Sequence, residues 1–124
     1  MGYEVLVVED SAAMRTFIAS TVEEIDDVSA SQAGSGFEAL KMLPQRQFNL
    51  VITDINMPDI NGLELIRVIR ENERYRETPL IIISTESSQR DRERGLALGA
   101  NAYLVKPFEP EALKEAVERY LKDG

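Results

Sequence analysis

Asn49-Leu50-Val51-Ile52-Thr53-Asp54, with Asn56-Met57-Pro58 close behind, carries a compact message. An almost continuous apolar run that ends in an acid and then a proline reads as a strand covered on both faces, delivering a carboxylate to a loop. Two other apolar runs end in comparable chemistry. Tyr3-Glu4-Val5-Leu6-Val7-Val8 leads into Glu9-Asp10, and Ala102-Tyr103-Leu104-Val105 leads into Lys106-Pro107. A sheet that gathers several carboxylates and a lysine at its strand ends is building a site for a cation and a phosphate.

Working outward, strands are expected over 3–8, 28–33, 49–54, 79–84 and 102–105. After the first of them, Met14, Phe17, Ile18, Val22 and Ile25 fall on one helical stripe. Leu113, Ala116, Val117, Tyr120 and Leu121 do the same near the end of the chain. Phe37 to Leu43 and Gly62 to Ile69 read as shorter helices, and Pro110 suits a first helical turn. Five strand-then-helix units imply an α/β fold with a parallel sheet wound on both faces, because parallel strands need helical crossovers. Val28-Ser29-Ala30-Ser31-Gln32-Ala33 is the most polar strand and fits an edge. No linker or repeat interrupts the pattern, so residues 1–124 are expected to form a single domain.

The helix expected near 87–98 is unlike the rest. Ser87-Ser88-Gln89-Arg90-Asp91-Arg92-Glu93-Arg94 has no apolar stripe, leaving Leu96, Ala97 and Leu98 as its anchor, and Gly95 costs about 1 kcal/mol relative to Ala. It reads either as a solvated face or as a weakly held element that can shift during signalling.

The net charge of −8 would repel nucleic acid and anionic lipid, and it favours a divalent cation or a basic protein surface. The chain has no Cys and no His. That excludes disulfides, thiol nucleophiles and thiolate metal sites, and it removes the commonest zinc ligand and general base. Chemistry must come from carboxylates, hydroxyls and lysine. No apolar stretch is long enough to span a bilayer and no signal peptide is visible, so the cytoplasm is the expected location.

In open parallel sheets, ligands sit beyond the carboxyl ends of the strands, where strand order reverses. Glu9, Asp10, Asp54, Ser84 and Lys106 all fall at such ends. Two like charges 4 Å apart repel by about 4 kcal/mol at an effective dielectric of 20. Lys106 alone is insufficient for three carboxylates, and Mg²⁺, which takes oxygen ligands and keeps several waters, suits the remainder.

Val8-Glu9-Asp10-Ser11, Thr53-Asp54-Ile55-Asn56-Met57-Pro58, Asn61-Gly62, Ile83-Ser84-Thr85 and Tyr103-Leu104-Val105-Lys106-Pro107-Phe108, in that order and spacing, resemble the receiver domains of bacterial two-component response regulators. The likeness covers essentially the whole chain and is nearest to the stand-alone chemotaxis-type members. It implies a doubly wound, flavodoxin-like (βα)5 fold with a five-stranded parallel sheet of order 2-1-3-4-5. It also implies that Asp54 takes a phosphoryl group from the phosphohistidine of a histidine kinase, with Mg²⁺ as cofactor. Glu9, Asp10, Asp54 and the backbone carbonyl of Asn56 would hold that ion, and Lys106, reached through a typically cis Lys106-Pro107 bond, would stabilise charge on the transferring group. Ser84 would donate its hydroxyl to the phosphoryl oxygens, and Tyr103 would swing inward as the Ser84 loop closes. Asn56 and Glu86 hold the positions that tune phosphoryl lifetime, and an amide and a carboxylate there are compatible with fairly rapid self-hydrolysis. The chain departs from the common pattern at Ser84, where Thr is frequent and Thr85 competes for the role, and at Glu9, where a second Asp is frequent.

The expected function is a phosphorylation-controlled switch. Its output surface would be the fourth helix, fifth strand and fifth helix (Arg90 to Arg94, Tyr103, and Leu113 to Arg119), read by a downstream protein. A chain that stops soon after its last helix is expected to have no attached effector, to act by protein contact as a monomer, and to bind neither nucleic acid nor membrane directly. It is expected to be no enzyme beyond its own phosphorylation and dephosphorylation. The alternative is a small Mg²⁺-dependent phosphohydrolase with an aspartyl-phosphate intermediate, but Asn56 stands where such enzymes place a second Asp. A third reading is a phosphate-blind scaffold, against which Asp10, Asp54 and Lys106 all speak.

Overall fold

A computed structural model describes residues 2–85 and 89–122. Its elements are β1 (Tyr3–Val8), α1 (Ala12–Val22), β2 (Val28–Ala33), α2 (Gly36–Met42) with a 3-10 turn at Leu43–Gln45, β3 (Leu50–Asp54), α3 (Gly62–Glu71), β4 (Leu80–Thr85), α4 (Gln89–Leu98), β5 (Ala102–Lys106) and α5 (Pro110–Lys122). Every strand pairing is parallel, and the sheet runs β2-β1-β3-β4-β5. The expected topology is therefore the observed one. The polar second strand does lie at an edge.

Side chains alternate across the strands and split the core into two layers. Val5, Val7, Leu50, Ile52, Ile81 and Ile83 face α1 and α5, where Ile18, Val22, Leu113 and Val117 cover them. Leu6, Val8, Val51, Leu80 and Ile82 face the opposite layer, closed by Ala39, Leu65, Ile66 and Ile69. The three central strands are buried on both faces, which is why their sequences lack polar alternation.

Several local expectations shift. Phe17 is not in the α1 core stripe. It is 38% exposed, with its ring 6.0 Å from that of Phe108. Ile25 is buried but lies beyond the end of α1, in the loop before β2. The anchor of α4 is also different: Leu96 and Ala97 are exposed, whereas Gly95 is buried and Leu98 packs against the core. A Cβ at residue 95 would run into the Cδ1 of Ile82, so glycine lets a helix with little apolar surface approach β4 closely. Ser87 and Ser88, expected to open this helix, lie outside the described residues, as does Glu86.

Candidate functional site

β1, β3, β4 and β5 place Val8 beside Thr53, Asp54 beside Ile83, and Thr85 beside Lys106. That register brings Glu9, Asp54, Ser84 and Lys106 to one rim of the sheet, next to the point between β1 and β3 where strand order reverses. Lys106 Nζ lies 3.1 Å from Asp54 Oδ2 and 3.3 Å from Glu9 Oε2. The Lys106-Pro107 peptide bond is cis, as expected. Oxygen atoms of Glu9, Asp10 and Asp54 lie within 4.8 Å of one another.

Each carboxylate has a distinct setting. Glu9 is almost wholly buried, and its Oε1 accepts a 3.2 Å hydrogen bond from the Ser11 amide. Asp54 is also buried, with Oδ1 accepting from the Asn56 amide at 3.3 Å. Asp10 is exposed and does not cap α1. Ser11 does so, its Oγ accepting from the Met14 amide at 3.3 Å. Asp10 is thereby left to the acidic cluster.

Crowding has electrostatic consequences. Burial first, then the hydrogen bond and negative charge of Asp54, push the Glu9 carboxyl up to about 7, against the pull of Lys106 and the Ser11 amide. Burial works against the charge of Lys106, yet Asp54 and Glu9 outweigh it and hold its ammonium above the usual lysine range. One cation thus serves two buried carboxyls and a third nearby. An all-oxygen donor set this compact fits a small, hard dication such as Mg²⁺.

Ser84 is fully buried, and its Oγ hydrogen-bonds to no group among the described residues, an uncommon arrangement for a buried hydroxyl. Thr85, on the opposite side of the strand, is exposed. Tyr103 is 44% exposed and points outward. The side chain of Asn56 reaches the surface beside the site. The expected tuning role of Glu86 falls on a residue outside the described ones.

The loop after β3 explains Asn61-Gly62. Asn61 caps α3 by accepting the Glu64 amide at 3.0 Å, and the Gly62 amide donates to the Ile55 carbonyl at 2.8 Å. A Cβ on residue 62 would collide with the Asp54 carbonyl oxygen and come within 2.8 Å of Ile55 Cα. Glycine here lets α3 begin directly against the backbone that presents Asp54.

Two contributors are invisible to sequence reasoning. Arg15 Nη1 donates to the Glu9 carbonyl at 2.8 Å, tying α1 to the acidic turn. Arg92 Nη1 donates to the Thr85 carbonyl at 2.7 Å while its guanidinium lies 5.3 Å from the centre of the Tyr103 ring. Neither arginine lies in a recognisable motif, and only folding brings their partners within reach.

Residues 5–118 match the family model described as response regulator receiver domain. The chain belongs to that family. It is 38% identical over 122 residues to a chemotaxis protein CheY homolog of Campylobacter jejuni, covering 98% of this chain and 94% of that protein. The solved chemotaxis response regulator CheY4 of Vibrio cholerae superposes with a TM-score of 0.89 at 34% identity, covering 98% of this chain and 100% of that one. The receiver domain of a sensor histidine kinase of Pseudomonas aeruginosa, solved with a magnesium ion coordinated in its active site cleft, gives a TM-score of 0.88 at 28% identity, with 98% and 99% covered. Membership makes this chain a receiver of two-component signalling, a switch and not a dedicated hydrolase of phosphate esters.

Proposed function

We propose that residues 1–124 form one receiver unit that accepts a phosphoryl group on Asp54 from a kinase phosphohistidine, in a Mg²⁺-dependent step. Phosphorylation then changes how the α4-β5-α5 face binds a downstream protein. The observation that carries this reading is the Lys106 ammonium, set 3.1 Å from Asp54 and 3.3 Å from Glu9 within a three-carboxylate cluster. A lysine so placed serves a group that gains negative charge at Asp54.

In the transfer, an Asp54 carboxylate oxygen forms a bond to phosphorus as the bond from phosphorus to the histidine nitrogen breaks, and the imidazole regains its neutral form. Glu9, Asp10, Asp54 and the Asn56 carbonyl would hold Mg²⁺, which would supply positive charge to offset that of the phosphoryl oxygens. Lys106 keeps its proton and moves its contact from the carboxylate to the acquired group. Ser84 satisfies its orphaned hydroxyl by donating to a phosphoryl oxygen, in preference to the exposed Thr85. Tyr103 turns inward as the end of β4 follows Ser84. Water later hydrolyses the acyl phosphate, at a rate set in part by Asn56 and Glu86. The unit acts as a monomer in the cytoplasm without touching nucleic acid or membrane; its charge of −8 supports the lack of nucleic-acid contact. Among the described residues no helix is long and apolar enough to cross a membrane.

Incubation with acetyl phosphate and Mg²⁺, followed by intact mass, tests the proposal. The wild-type protein should gain one acid-stable, base-labile phosphoryl group, and Asp54→Asn should fold and gain none. A wild-type protein that takes no phosphate, or an equal gain on the variant, would remove the assignment.

A further inference from the structure

Arg92 sits on α4, whose only buried residue is Gly95, so this helix is held by little apolar surface. Its guanidinium makes two contacts of unusual placement. One is the 2.7 Å hydrogen bond to the carbonyl of Thr85, the residue directly after Ser84, and the other is the stack over the Tyr103 ring at 5.3 Å. A single side chain therefore joins α4, the end of β4 and the outward ring of β5.

We infer that Arg92 is a latch that holds the unphosphorylated state. The proposal rests on the switch reading above and adds a residue that stabilises its resting side. A cation gains from an aromatic face only while the ring lies beneath it. Tyr103 turned inward leaves Arg92 behind, and a β4 end drawn toward a phosphoryl group carries the Thr85 carbonyl away from Nη1. Both contacts thus count for the outward state alone. An interaction made in one of two states shifts their populations by its differential free energy, so Arg92 works against activation and sets how strongly phosphorylation must pull. Arg92 touches no reacting atom; it is a positioning residue.

The test is a titration with beryllofluoride and Mg²⁺, a stable mimic of the phosphorylated aspartate, followed by NMR of ¹³C-labelled tyrosine rings. Arg92→Leu is expected to tighten apparent beryllofluoride affinity about 3- to 10-fold. It should also shift the Tyr103 ring signals of the free protein toward their bound positions. Arg92→Lys keeps a cation and a donor and should fall between Leu and wild type. With Tyr103→Leu in place, the Arg92→Leu effect should shrink. Unchanged or weakened affinity for Arg92→Leu, with wild type responding normally, overturns the latch alone. No response to beryllofluoride in wild type overturns the switch reading and the latch together. Far-UV spectra matching wild type show that the variants are folded.

Discussion

Glu9 is the residue on which the electrostatics of the rim turn. Its side chain is buried beside Asp54, and among the described residues only Lys106 and one amide favour its charge. Burial and Asp54 push its carboxyl up to about 7 from an ordinary value of 4.5. A raised carboxyl contributes stability that is full below the unfolded value and is lost as pH rises toward the folded one. In chelator, therefore, the wild-type protein should lose stability to urea between about pH 4.5 and 7 relative to Glu9→Gln, with little further change above that range. A flat difference across the window would show that Glu9 is not held protonated. Cation binding needs the ionised form, so Mg²⁺ affinity should rise through the same window and level off above it. Calorimetry at several pH values would record this, and Glu9→Gln should flatten the rise.

At the scale of the element, helix starts hold the rim in place. Ser11 caps α1, Ser35 caps α2 through the Glu38 amide, and Asn61 caps α3, so three helices begin at the site end of the sheet. Asp59 adds a second tie, its carboxylate accepting from the Phe37 amide at 2.9 Å and the Gly36 amide at 3.3 Å. These bonds to backbone amides, Phe37 foremost, hold its carboxyl below the usual aspartate range. At Gly62 the backbone carrying Asp54 occupies the space of a side chain. Gly62→Ala should destabilise the fold by about 1–3 kcal/mol and lower the urea midpoint without altering the slope. The displaced Asp54 should also take phosphate from acetyl phosphate more slowly. An unchanged midpoint would mean that α3 yields more easily than its contacts indicate.

For the molecule as a whole, metal binding and stability are linked. A ligand that binds only the folded state at ten times its dissociation constant stabilises by about 1.4 kcal/mol. A domain of this size should then gain roughly 4–8 °C in melting temperature. Scanning calorimetry with and without Mg²⁺ would read the gain, and Asp10→Asn with Asp54→Asn should abolish most of it. An equal rise in the double variant would assign the effect to general screening of the acidic surface. The two core layers, one under α1 and α5 and one under α2, α3 and α4, give the rim a rigid base. α4, by contrast, buries only Gly95 and is held by little apolar surface.

The sequence alone determined the succession of strands and helices along the chain, the parallel sheet, and the residue types at the rim. Uninterrupted runs such as Leu80-Ile81-Ile82-Ile83 leave no choice but burial on both faces, and Asp54 closes a run of that kind. Phe17 and Leu96 misled because helical periodicity marks an apolar face without saying what covers it: Phe17 lies partly exposed beside Phe108, and Gly95 makes the close contact of α4. Only the tertiary structure decided which cap serves α1, how far Glu9 is buried, and that Arg92 spans Thr85 and Tyr103. Such facts depend on distances between residues remote in the chain, and a long flexible side chain carries no local signal of the partner that folding will bring to it.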